Sequence, residues 1–314
     1  MKRKFLIDVD TGVDDAQALM LALSIPDIEV MGITCVSGNV DIDQVCRNTL
    51  KVLSVCNRLD IPVYRGSSKS LVGKVLQAAH YHGNDGLGDS GLAKDMDLGL
   101  LQRECAAVAI VNLVNKYPGE ITLVALAPLT NVALSLRLDP GFGNKLKEVF
   151  IMGGNTEGRG NSTVSAEFNF GVDPEAAFIT LNDLLCPVTM IPWELNLTEA
   201  SCHSWNWFDD WISHNTPKAQ FNQAISHSVV HKQRVEKKSP FYRSCDLTAM
   251  ALAVDKSLAI DTESVYATVE LSGTLTRGQM VVDWNGCLGK PPNVTLVKKV
   301  NVEKARQMYN QMIK

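Results

Sequence analysis

No stretch of this 314-residue sequence approaches the ~20 consecutive apolar residues that cross a bilayer. The basic start, Lys2 to Lys4, meets Asp8 after only Phe5, Leu6 and Ile7, which is too short an apolar region for a secretory signal. Neither a membrane location nor export is therefore expected, and the chain is read as cytoplasmic. An excess of positive charge is missing as well. With 30 Lys and Arg against 34 Asp and Glu the net charge is −4, so no basic field exists to neutralise a phosphate backbone, and a nucleic-acid partner is disfavoured. Paired cysteines are absent. The eight cysteines at 35, 46, 56, 105, 186, 202, 245 and 287 form no CxxC pair, which excludes a zinc ribbon or a small disulfide scaffold and leaves them as reduced thiols. The sequons at Asn161, Asn196 and Asn293 carry no meaning without secretion. Internal repeats, low-complexity tracts and flexible linkers are also lacking, so residues 1–314 are expected to form one domain.

What is present is an ordinary globular composition, 46% hydrophobic and 20% charged, sufficient for a large core and best suited to a small-molecule substrate. Lys4–Val9 is a short apolar run ending in acidic residues, and Ala16, Leu19, Met20 and Leu23 follow at helical spacing. The alternation recurs. Strands are predicted over Ile28–Val36, Ile121–Leu126, Val149–Met152 and Pro187–Ile191, and helices over 42–56, Asn131–Leu138 and Asp173–Leu181. Such alternation gives an α/β fold, a mostly parallel central sheet flanked by helices, with ligands at the carboxyl ends of the strands. Between about 201 and 242 the composition shifts to Trp205, Trp207, Trp211 and a polar helical stretch, which reads as an inserted helical flap. Val265–Leu271 with Met280–Asp283 resembles an added hairpin, and Val302–Ile313 a closing helix.

The strongest chemical feature is Asp8-Val9-Asp10-Thr11-Gly12-Val13-Asp14-Asp15, four carboxylates in eight residues at a strand's carboxyl end. Such crowding is unfavourable unless a cation or a helix N-terminus offsets it. One reading is an acidic helix start capped by Asp14 or Asp15, although capping requires only one carboxylate. The other is a site for a hard cation, since oxygen-only ligands suit calcium or magnesium and no His or Cys is adjacent to favour zinc. A third places Asp8 as the nucleophile and Asp10 as the acid of an aspartyl-phosphate phosphatase, but Gly12-Val13-Asp14-Asp15 does not continue that pattern.

Over nearly its whole length the sequence resembles the nucleoside hydrolase family of the inosine-uridine preferring type. Asp8–Ala16 looks like that family's signature, with Thr11 where a proline is usual, and further matches follow in order. They are Gly38-Asn39, the His82–Gly88 run HGNDGLG, the Ala125–Asn131 run ALAPLTN, Met152-Gly153-Gly154, Glu167-Phe168-Asn169, the Asp173–Ala177 run DPEAA, and Cys245-Asp246. The resemblance implies a Rossmann-like fold and hydrolysis of the N-glycosidic bond of ribonucleosides to ribose and free base. It also implies a Ca2+ ion held by Asp10, Asp15, the main-chain carbonyl of Leu126 and Asp246, with Asp10 taking a proton from the attacking water. Ribose recognition falls by matching position to Asp14, Asn39 and Asn169 for the ring hydroxyls, to Asn161 and Glu167 for the 5′-hydroxyl, and to Met152 beside them. A homodimer or homotetramer is implied too. For Asn39, Asn161 and Asn169 taken singly, a turn-forming asparagine is the alternative.

One position departs from the pattern on the leaving-base side. Cys245 stands where the best-known members carry a histidine, either as a proton donor or as a small buried hydrophobe. His82 is the second candidate for leaving-group assistance, against a role in fixing its own loop. Tyr81 and the tryptophans at 205–211 offer aromatic faces to a base, or pack the flap onto the core. Pro192-Trp193-Glu194 also departs from the pattern, with Glu194 as a replacement acid and Trp193 as a pocket wall. A calcium-dependent nucleoside- or ribose-binding protein weakened in catalysis is the competing function, and purine against pyrimidine preference is open.

Overall fold

The computed structural model describes residues 2–73 and 77–314. In chain order β1 (Arg3–Val9), α1 (Val13–Ser24), β2 (Ile28–Cys35), α2 (Ile42–Val55), β3 (Val63–Arg65), α3 (Ala79–His82) and α4 (Ala106–Lys116) build one flank. The strand β4 (Ile121–Ala125), α5 (Thr130–Leu138), β5 (Glu148–Met152), α6 (Phe168–Val172), α7 (Pro174–Asp183) and β6 (Val188–Ile191) build the other. These strands lie in the order β3-β2-β1-β4-β5-β6, all parallel, as the alternating pattern predicts. The strands β4 and β5 are buried at every residue, which is why their sequences run almost continuously apolar rather than alternating.

The far edge of the sheet carries no periodic signal. Beyond β6 the sheet continues through β12 (Val294–Val300), parallel to β6, and ends in β9 (Ala259–Val265), antiparallel to β12. The centre of β9 is Asp261-Thr262-Glu263-Ser264, largely exposed, and a polar solvent-facing edge strand has no apolar face for a pattern to reveal. The expected hairpin is present as β10 (Ala267–Val269) against β11 (Met280–Val282), and the closing helix as α12 (Val302–Met312).

The segment that reads as a flap begins with β7 (His203–Ser204) and ends with β8 (Phe241–Tyr242), which pair antiparallel and tie its two ends together. Between them lie α8 (Trp205–Ile212), α9 (Pro217–Ile225), α10 (His227–Val230) and a π-helical turn over His231–Glu236. The chain then enters α11 (Cys245–Val254), whose nine residues from Asp246 on are all buried; a helix apolar on every side belongs inside the fold. Among the described residues no helix is long and apolar enough to cross a membrane.

Candidate active site

The strand order reverses at β1, which lies between β2 and β4, so the loops leaving β1 and β4 part and open a crevice at their carboxyl ends. Asp10 follows β1, Asn39 follows β2, Leu126 follows β4 and Met152 ends β5, and all four line one cavity of about 290 Å³. Asp14, His82, Asn161, Glu167, Asn169, Cys245 and Asp246 line the same cavity. Residues spread from position 10 to position 246 thus converge, and of that set only Asp15 lies behind the wall, fully buried.

The acidic centre forms where two helix N-termini meet. Asp14 and Asp15 occupy the first turn of α1 and Asp246 the first turn of α11, and oxygens of the three carboxylates lie within 4.8 Å of one another. Both helix dipoles favour negative charge at that point. Asp15 is also part of a cap, because Oδ2 accepts the N–H of Gly12 at 2.9 Å and Oδ1 that of Asp10 at 3.3 Å. Neither Asp14 nor Asp15 is the N-cap expected of this cluster: Gly12 holds that position, and Asp15, at the third helical position, reaches back to its N–H. Asp10 is anchored beside the trio, its Oδ2 accepting the N–H of Asn39 at 2.7 Å. Burial pushes the Asp15 carboxyl up to about 7, with Asp14 adding to the shift. Burial, followed by neighbouring carboxylates, also raises Asp10 and Asp246 well above the ordinary range. Among the described residues no Lys or Arg pairs with any of the four, and the nearest base, His82 at 3.9 Å from Asp14, is held neutral by burial.

The donors present fit a hard divalent cation. Each is an oxygen, Asp10, Asp15 and Asp246 are buried against mutual repulsion, and among the described residues the Leu126 carbonyl accepts only from Asn169 Nδ2, at 2.9 Å, which uses one of its two lone pairs. A cation there would reverse the direction of every carboxylate shift just described.

On the opposite side the ribose-site candidates hold one another. Asn169 Nδ2 also reaches the Met152 carbonyl at 3.0 Å, joining the ends of β4 and β5. Glu167 caps α6, its two oxygens accepting N–H groups of Asn169, Gly154 and Phe170 between 2.9 and 3.2 Å, and burial raises it to about 7. Other motif residues turn out to be structural. Asn131 Nδ2 bonds Asp8 at 2.8 Å, and Thr130 Oγ1 bonds Asp173, the cap of α7, at 2.6 Å.

The cavity is lined as well by Cys245, Tyr81, His82 and Trp193, with Lys237, which in the sequence is one charge in a basic run and carries no signal of its own. Burial, then Asp14 and Asp246, raises the Cys245 thiol well above its usual range, so it keeps its proton. Glu194 is not a replacement acid in the cavity; its two oxygens accept the N–H groups of Thr156 and Glu157, both at 2.9 Å. The flap tryptophans do not line the cavity. Trp207 stacks on Trp211 at 5.1 Å, and Trp211 donates to the Tyr309 carbonyl at 3.0 Å, which fixes the segment to α12.

The family model described as inosine-uridine preferring nucleoside hydrolase matches residues 5–307. The inosine-uridine preferring nucleoside hydrolase of Crithidia fasciculata is 31% identical, over 97% of this chain and 95% of that protein. A non-specific ribonucleoside hydrolase RihC of Escherichia coli O127:H6 is 31% identical over 100% of this chain and 99% of its own. Among solved structures, an inosine-guanosine nucleoside hydrolase superposes with a TM-score of 0.91 at 32% identity, covering 100% of this chain and 99% of that one.

Proposed function

The chain belongs to the inosine-uridine preferring nucleoside hydrolase family, and from that premise we propose that it is a ribonucleoside hydrolase whose metal is calcium. The observation that carries the reading is the convergence of Asp10, Asp14 and Asp246 with Asn39 and Asn169 on one cavity, an oxygen-rich wall facing amide groups suited to a vicinal diol. Ribonucleosides lose their base and water supplies the new oxygen on the anomeric carbon.

Asp10, Asp15, the Leu126 carbonyl and Asp246 are assigned as the ligands, with Asp14 against them. When bound, the cation supplies Lewis-acid activation of water and a charge partner for the ribose diol. Asp10 accepts the water's proton on the oxygen that Asn39 leaves free. Asp14, Asn39 and Asn169 orient the ring hydroxyls, and Asn161 and Glu167 the 5′-hydroxyl. As the C1′–N bond opens, positive charge develops on the sugar, and the surrounding carboxylates stabilise it. The residues 201–242 are assigned as the insertion that walls the base side. A site that bonds each hydroxyl rejects a sugar lacking one, so 2′-deoxyribonucleosides are poor substrates.

The test is release of free base from inosine, adenosine, guanosine, uridine and cytidine, with and without chelator and calcium readdition, in the wild type and Asp10→Ala. Chelator-sensitive release that Asp10→Ala abolishes supports the proposal. Calcium-dependent binding of a nucleoside with no release from any of the five would overturn it.

A further inference from the structure

Tyr81 lines the cavity from the helical turn that carries His82, and the Lys237 ammonium lies 5.5 Å from its ring centroid, over a face that stacking would need. Its hydroxyl is held by Gln233, a buried residue of the π-helical turn. Gln233 Nε2 donates to the Tyr81 oxygen at 2.7 Å and to the Arg243 carbonyl at 3.0 Å, and the Gln233 side-chain oxygen accepts the Arg243 N–H at 3.0 Å. This pairing fixes which end of the amide faces which partner, because flipping it would set oxygen against the Arg243 carbonyl and N–H against N–H. The phenol oxygen is therefore the acceptor in its bond with Gln233. Its own O–H has no protein acceptor among the described residues, and what remains before it is the cavity. Tyr81 lines the same cavity as Cys245 and Asp14, and burial keeps the phenol neutral.

We propose that the Tyr81 hydroxyl, oriented by Gln233, donates a hydrogen bond to the leaving base, which makes Tyr81 a catalytic residue and Gln233 its positioning residue. The assignment rests on the hydrolase reading above. As the C1′–N bond breaks, its electron pair passes to the base, and a ring nitrogen or carbonyl oxygen gains negative charge. The phenol keeps its proton and stabilises that charge; the oxygen joined to C1′ and the proton the base finally gains both come from the attacking water.

The experiment compares kcat and KM for inosine with those for 4-nitrophenyl β-D-ribofuranoside, whose phenolate departs without such assistance, in the wild type, Tyr81→Phe, Gln233→Glu and the double variant. Loss of one preorganised donor predicts a fall of about 10²-fold in kcat for inosine in Tyr81→Phe, with KM changed by less than about threefold and a loss for the aryl riboside at least about tenfold smaller. Gln233→Glu offers the phenol an acceptor, turns its proton away from the base and reproduces the inosine loss, and the double variant is no worse than Tyr81→Phe. Inosine kcat retained in Tyr81→Phe, or equal losses for both substrates, would overturn the assignment while leaving the hydrolase intact. A wild type that releases base from none of the five nucleosides and does not cleave the aryl riboside would overturn the hydrolase reading and this assignment with it. If Gln233→Glu does not fold, Tyr81→Phe decides alone.

Discussion

The backbone N–H of Val13, the first residue of α1, donates to Nδ1 of His82 across 3.2 Å. A ring nitrogen that accepts carries no proton, so the imidazole proton resides on Nε2. Burial lowers the pKa of His82 below 6.5, outweighing the pull of Asp14, so the ring is neutral at neutral pH. His82 thus presents a neutral Nε2–H donor at the cavity wall. Long-range proton–nitrogen spectra of the metal-loaded protein are expected to show His82, like His203 with its Nδ1 on Arg306, in the neutral Nε2–H form at pH 7. A charged His82 at that pH would contradict the geometry.

Gly38 lies against Asp10. A Cβ added at this position would overlap Asp10 Oδ2 and crowd its Cγ and Cβ, so the carboxylate would have to shift from its place. Overpacking of this kind costs about 1–3 kcal/mol in stability. For Gly38→Ala we expect the heavier loss in function: calcium affinity weakened by at least about tenfold, read by calorimetric titration, beside a modest fall in Tm. Unchanged affinity would separate Asp10 from the cation.

Asp246 carries the strongest crowding, from Asp14, Asp15 and Asp10 together. Burial and these neighbours raise its pKa, so at neutral pH the metal-free fold carries the penalty of an acid that the unfolded chain ionises freely, and Asn removes that penalty. Asp246→Asn should therefore raise the Tm measured in chelator, abolish the further rise on adding calcium, and lower kcat/KM by at least about 10²-fold. A lower Tm in chelator would mean that the carboxylate supports the apo fold.

His203 offers a pH test away from the site. Burial, with Arg306 beside it, lowers its pKa from 6.5 to about 3, and Nδ1 accepts from Arg306 Nε at 3.3 Å. The unfolded chain binds this proton more readily than the folded one, so the contribution is complete above pH 6.5 and is lost progressively as pH falls toward 3. In His203→Gln the Tm should depend less on pH in that window, with the gap between wild type and variant narrowing as pH falls. A constant gap would show that His203 is charged in the folded state.

Much of the site is legible in the sequence because its residues sit in short, chemically unusual strings. Asp8–Asp15 and Glu167–Asn169 each place several polar groups next to strand ends or helix starts, and their positions follow once β1, β4 and β5 are recognised as parallel neighbours. Strand periodicity supplies those neighbours but cannot supply β9 and β12, since an exposed edge strand leaves no apolar signature and β12 reaches β6 only across more than a hundred residues.

What the sequence alone determined is the alternating α/β order, the acidic cluster and the family resemblance, all carried by local spacing. The tertiary structure decided which of several similar residues does what. Trp205, Trp207 and Trp211 read alike with Tyr81 as aromatic faces, yet only Tyr81 lines the cavity, because α8 turns its tryptophans onto α12 and the core. Glu194 and Glu167 are both acidic residues near strand ends, but only Glu167 reaches the cavity, while Glu194 binds the Thr156 and Glu157 amides. Gln233 had no signal at all: its role is a set of hydrogen bonds to Tyr81 and Arg243, at separations of 152 and 10 residues, and a contact of that kind exists only once the chain has folded.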